Sequence, residues 1–164
     1  MLTQTPAGLF IENRAKADAA LAEQLARNQY VGRFRTVSAF ELRAMVDRIL
    51  DYYVKWSGGD EHELEACLDF LENICFTLSI PLAETAYALY VLRDGVAAMI
   101  SSGVEDEKSE TIRQVNRFFE ALVRDLLRRS RTSASKNLFT CRIASLFSSS
   151  APDETMAAIP SRRT

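Results

Sequence analysis

His62 is the single histidine among 164 residues, and that scarcity removes whole classes of chemistry. A metalloprotease helix of the HExxH kind needs two histidines, and a Ser-His-Asp or Cys-His site would have to be assembled around this one residue. Cysteine is also sparse. Cys67, Cys75 and Cys141 form an odd set with no CxxC pair, and eight residues of helix would hold Cys67 and Cys75 ~12 Å apart, too far for a disulfide. Buried apolar thiols are expected at both, in a reducing, cytoplasmic setting without a secretory leader. No apolar run approaches the ~18 residues needed to span a bilayer. The six glycines stand singly or as Gly58-Gly59, so no phosphate-binding loop is present.

What is present is helical periodicity. Apolar residues recur at spacings of three and four nearly throughout, and no sustained alternation of the strand type appears, so an all-α bundle of about five helices is expected. The first runs from about Pro6 to Gln29, with Leu9, Leu21 and Leu25 as sparse anchors. A capping box at Ser38 and Glu41 opens the second, whose stripe is Leu42, Met45, Val46, Ile49, Leu50 and Tyr53; Gly58 and Gly59 break it. Asp60 and Glu63 repeat the cap, and the third carries Leu64, Cys67, Leu68, Leu71, Cys75 and Leu78. Pro81 starts the fourth, which Gly103 closes. Tyr87, Tyr90 and Val91 widen its apolar surface, so it is expected deep in the bundle.

The fifth helix, from about Glu105 to Arg129, has an acidic first turn and a basic end, as the helix dipole prefers. Ile112, Val115, Phe119, Leu122 and Leu126 form a heptad seam beside a second stripe of Phe118, Val123 and Leu127. Two apolar faces on a helix of ~37 Å suggest one packs inside and the other meets a second copy, so the seam is the expected homodimer interface. An apolar ligand pocket between helices three, four and five is expected near Phe76, Leu89, Tyr90 and Phe119.

Charge divides the chain into a domain over residues 1–131 and a tail over 132–164. Residues 1–130 hold 15 basic and 20 acidic side chains, whereas 131–164 hold 5 and 2, with seven serines from Ser133 to Ser161. The tail is expected to be disordered, apart from a short amphipathic helix or strand at Asn137 to Phe147.

Candidate chemistry is thin. His62 sits among Asp60, Glu61, Glu63 and Glu65, carboxylates that would repel a phosphoryl group. A histidine phosphotransfer or kinase-dimerisation bundle using His62 is the alternative reading. Haem would need a ligand on a late helix; Cys75, Met99 and Tyr90 could ligate, yet each fits a core position better, and no cofactor or metal is expected. Arg33, Arg35, Arg124, Arg128, Arg129 and Arg131 are scattered over a net-negative body, which argues against nucleic acid as a partner.

The segment from Phe70 to Val96, FLENICFTLSIPLAETAYALYVLRDGV, resembles the N-terminal sensor domain of the RsbR/RsbRD family of RsbT co-antagonists, found in bacterial stressosomes and fused to some histidine kinases. The likeness rests on Phe76-Thr77-Leu78-Ser79 at a helix end, on Leu89-Tyr90-Val91-Leu92-Arg93, and on the paired Phe118 and Phe119, and it covers residues 38 to 130. It implies a globin-like fold without haem, a homodimer, and a non-catalytic sensor passing a signal through its last helix to a protein partner. The family's usual output, a STAS domain or kinase core, does not follow Arg131 in this sequence.

Overall fold

The computed structural model describes residues 6–100 and 105–147, with side chains from 14 to 100 and from 109 to 132. The chain divides into two compact units, Met1–Ser130 and Arg131–Thr164. Helices α1 (Pro6–Arg27), α2 (Ala39–Ser57), α3 (His62–Leu78), α4 (Leu82–Ile100) and α5 (Glu105–Phe147) account for most of the described backbone, with one 3-10 turn at Phe34–Thr36, short connections, and no strand among the described residues. The protein is all-α. Gly103, the expected stop of α4, and residues 148–164 of the expected tail lie outside the described residues.

Local sequence sets most of the helix ends. At α2 the Ser38 hydroxyl accepts from the Glu41 backbone N–H at 3.2 Å, and the Glu41 carboxylate accepts from the Ser38 N–H at 3.3 Å. The box satisfies two of the donors a helix start leaves open. Gly58 caps the other end, and Gly59 at φ 104° turns the chain in a conformation that L side chains rarely adopt.

The expected box at α3 does not form. The helix opens at His62, whose backbone N–H donates to the Asp60 side chain at 3.2 Å, a local turn that competes with a helical cap. Its C-terminus is closed by Ser79 in the left-handed conformation, where the Ile80 N–H reaches back to the Cys75 carbonyl at 2.9 Å.

All six residues of the α2 stripe are buried, as are Cys67, Leu68, Leu71 and Cys75 on α3. Helix α1 packs against α2 and α4, α2 against α3, and α3 against α4. Gly95 lets α1 and α4 approach closely, since a Cβ there would run into the side chains of Leu21 and Gln24. Helix α5 reaches α2 through Phe118, whose ring sits 5.5 Å from Tyr53 and 5.4 Å from Trp56.

Two expectations about shape need correction. Helix α4 is not enclosed all round: Ala86, Leu89, Leu92 and Val96 are buried, but Tyr87 and Tyr90 are exposed, with the Tyr30 ring tilted against that of Tyr87 at 5.4 Å between centroids. A tyrosine can cover surface with its ring while keeping its hydroxyl wet, so its presence did not require burial. Helix α5 does not stop near Arg129 but continues to Phe147, through part of the expected tail. Residues 131–147 contain neither Gly nor Pro, so nothing in them breaks a helix already nucleated.

Candidate functional site

Helix α5 carried the strongest functional expectation, and its seam faces inward. Val115, Phe119, Leu122 and Leu126 are fully buried within one chain and Ile112 is partly so; Phe118 and Val123 of the second stripe are buried too. Phe118 and Phe119 meet edge to face with centroids 5.5 Å apart. The seam is therefore core, and the expected dimer interface is corrected on that ground. Both stripes fit inside because α5 lies among the other helices and buries a wide arc. Only Leu127, at the end of the second stripe, is exposed.

The four residues expected to line a ligand pocket are not brought together around one. Leu89 and Phe119 are core, Tyr90 is exposed with the Arg93 guanidinium 4.9 Å from its ring centroid, and Phe76 is 89% exposed. Phe76 continues the outer line of α3 that holds Glu65, Asp69 and Glu72, positions that return to one face at intervals of three and four. That outer line is where α5 is tied down. Arg129 donates to Asp69 at 2.6 Å and Glu72 at 3.2 Å, with Glu65 at 3.5 Å. Arg129, one of the scattered arginines, is thus a clamp between helices, and its carboxylate partners hold its pKa above the ordinary arginine value.

His62 is exposed in the first turn of α3, among acidic residues. Both described cysteines are buried, and burial pushes each thiol above its usual pKa; Cys75 Sγ lies 2.9 Å from the Thr85 hydroxyl. Neither is an activated nucleophile, because the thiolate is the reactive form. Met99 is partly buried against the core. No group of His, Cys, Asp and Glu among the described residues could hold a metal ion. No described helix is long and apolar enough to cross a membrane.

Two features were not expected. The first is a polar seam between α1 and α2. Asp18, only 7% exposed, lies beside Asp47, and its Oδ1 is buried with no hydrogen-bond partner among the described residues. Arg14 bridges from α1, donating to Asp47 Oδ1 at 2.7 Å, to the Asp47 carbonyl at 2.6 Å and to Asp51 at 3.4 Å. Burial, then the shared hydrogen bond and like charge of Asp47, push the Asp18 pKa up to about 6. The sequence signal was available: Asp18 occurs within the apolar set Ala17, Leu21, Ala22 and Leu25, where a charge is out of place.

The second is an open apolar groove of about 430 Å3 between α2 and α3. Phe40, Ala44 and Met45 form one wall, and Phe70, Ile74 and Leu78 the other. Arg48 stands at one end, its guanidinium 5.3 Å from the Phe70 ring centroid and 5.9 Å from that of Tyr52.

Comparison of the chain with protein-family models, with characterised proteins and with solved structures finds no match.

Proposed function

We propose that the chain is a non-catalytic regulatory module of bacterial signal transduction: a haem-free, globin-like sensor that works in the cytoplasm as a homodimer and passes a signal through α5 to a protein partner. One observation carries the reading. Val115, Phe118, Phe119, Leu122 and Leu126 of α5 are core residues, and the same helix runs past Ser130 to Phe147. Packed interiors rearrange in discrete steps rather than yielding smoothly, so a change in the packing of the first unit acts directly on the helix that leaves it. The sequence likeness over residues 38 to 130 supports the same reading. Since the α5 seam is occupied by the chain's own core, the homodimer forms through other surface.

Amide hydrogen exchange on the full chain tests the relay. Leu89→Ala opens a cavity in the core and is expected to raise exchange along residues 131–147 as well as within the first unit. Faster exchange confined to residues 6–130 would overturn the relay. Sedimentation equilibrium tests the pairing: a dimer is expected at high micromolar concentration, and a strict monomer there overturns it.

A further inference from the structure

The groove between α2 and α3 has the dimensions and charge of a docking site for a helix. Its walls run from Phe40 to Arg48 and from Phe70 to Leu78, each ~12 Å long at 1.5 Å per residue. Apolar anchors at i, i+4 and i+7 of a helical ligand span ~10 Å, so two turns fill it. Phe40, at the rim, is 82% exposed although the floor it borders is apolar. A phenylalanine left in water beside an open apolar trough gains most when a second surface covers both.

Charge decides the occupant. The two carboxylates nearest Arg48 on α2 are already engaged: Arg14 holds Asp47 at 2.7 Å, and Lys55 holds Asp51 at 3.0 Å. Among the described residues no acid lies within ion-pair distance of Arg48, and Asp51, held by Lys55, acts on its charge only from farther off. It is steadied instead by the Phe70 and Tyr52 rings and by its Nε–H donating to the Tyr52 hydroxyl at 3.4 Å. Glu41, the acid lining the groove, is tied into the Ser38 cap at the opposite end. The trough therefore ends in a positioned cation with no carboxylate in direct contact. The chain's own segment from 131 to 147 is amphipathic but contains Arg131, Lys136 and Arg142 and no acid, the wrong sign to complete it.

We propose that this groove binds an amphipathic helix of another protein, with apolar anchors at i, i+4 and i+7 and an acidic residue placed against Arg48. This rests on the reading of the chain as a protein-binding regulatory module and names the surface it binds with.

A displayed library of amphipathic helical peptides, selected against the full chain, is the experiment. Enriched sequences are expected to carry the three anchors and a Glu or Asp at one end, and a synthetic winner is expected to bind Arg48→Glu about tenfold or more weakly. Exchanging the acid of that peptide for Lys is expected to restore binding to Arg48→Glu, and Phe40→Glu is expected to abolish it. Both positions are exposed, so both variants keep the fold. The proposal is overturned by absence of enrichment, by winners without an acid, or by winners insensitive to both variants. Saturable binding of dodecanoate at Arg48 with no peptide enriched would assign the groove to a lipid instead. Tight binding of a synthetic peptide of residues 134–147 would assign it to a second copy. Enrichment as expected, with residues 131–147 indifferent to Leu89→Ala, keeps the groove and removes only the relay.

Discussion

Helix α2 is held on two sides by opposite means. Toward α5 it presents Tyr53 and Trp56 to Phe118, a buried aromatic contact between rings about 5.4 to 5.5 Å apart. Toward α1 it presents Asp47 and Asp51 to Arg14 and Asp18, a seam of charges with a buried carboxylate oxygen left unbonded. Aromatic packing is indifferent to pH and little affected by salt, whereas a buried carboxylate responds to pH and the exposed charges around it respond to salt. The two sides should respond to different conditions: α5 is fastened to α2 by packing, whereas α1, which also buries Leu21 and Leu25 in the core, adds a charged contact that the surroundings can loosen.

Truncation on the aromatic side should have the largest effect. Phe118→Ala removes a ring that touches Tyr53, Trp56 and Phe119 and leaves a cavity among them. A loss of about 3–5 kcal/mol in chemical denaturation is expected, the same at pH 5 and pH 8. A loss below about 1 kcal/mol would mean that this side of α2 is not the fixed one.

On the charged side the sign should reverse. Asp18 has its pKa raised in the folded state to about 6 from 3.8, so the folded protein binds the extra proton between those values. Its stabilising contribution is complete below the unfolded value and is lost as pH rises toward the folded one, a fall of about 1–3 kcal/mol between pH 4 and pH 6.5. Asp18→Asn, which carries no charge, is expected to be more stable than the parent by about that amount at pH 7 and nearly equal to it at pH 4. Equal stabilities at both pH values would show that Asp18 is solvated and that the two sides of α2 do not differ in kind.

The sequence made the architecture legible because the apolar spacing is clear where it matters. The α2 stripe, the Ser38 box, the Gly58-Gly59 break and the start of α4 after Pro81 all follow from local rules and appear where those rules place them. What local rules cannot show is which of two apolar faces meets which neighbour. The heptad seam of α5 has the spacing of an intermolecular contact, yet in a bundle of this size the same spacing serves the chain's own core. Phe76 reads as a pocket residue from type alone and lies outside, because α3 turns its 67, 71 and 75 positions inward and leaves 76 on the acidic line. The groove was invisible for the same reason: its walls are 30 residues apart in sequence and meet only once α2 and α3 pack.

Arg129 lies between the two kinds of fastening, a charged contact that helps hold the aromatic helix. Three carboxylates surround it at 2.6 to 3.5 Å, but its side chain is 28% accessible and theirs more so. Arg129→Ala is expected to cost about 0.5–1 kcal/mol at low salt and less at 1 M salt, where exposed charges are screened. It should also raise amide exchange around residues 125–130 without changing that of α1. A cost above about 2 kcal/mol, unaffected by salt, would place this clamp with the buried contacts.

The smallest effect belongs to a phenylalanine. Phe76→Ser replaces a ring that is almost wholly in water, so little burial is lost. The expected change in stability is within about 0.5 kcal/mol, against several for the same residue type at 118. If burial rather than aromatic character fastens α5 to α2, the two substitutions must differ in this way. A cost at Phe76 comparable to that at Phe118, measured on the full chain and again at tenfold lower concentration, would show the ring to be covered. Dependence of that cost on concentration would make the cover a second copy of the chain, and would put the homodimer contact on the acidic face of α3.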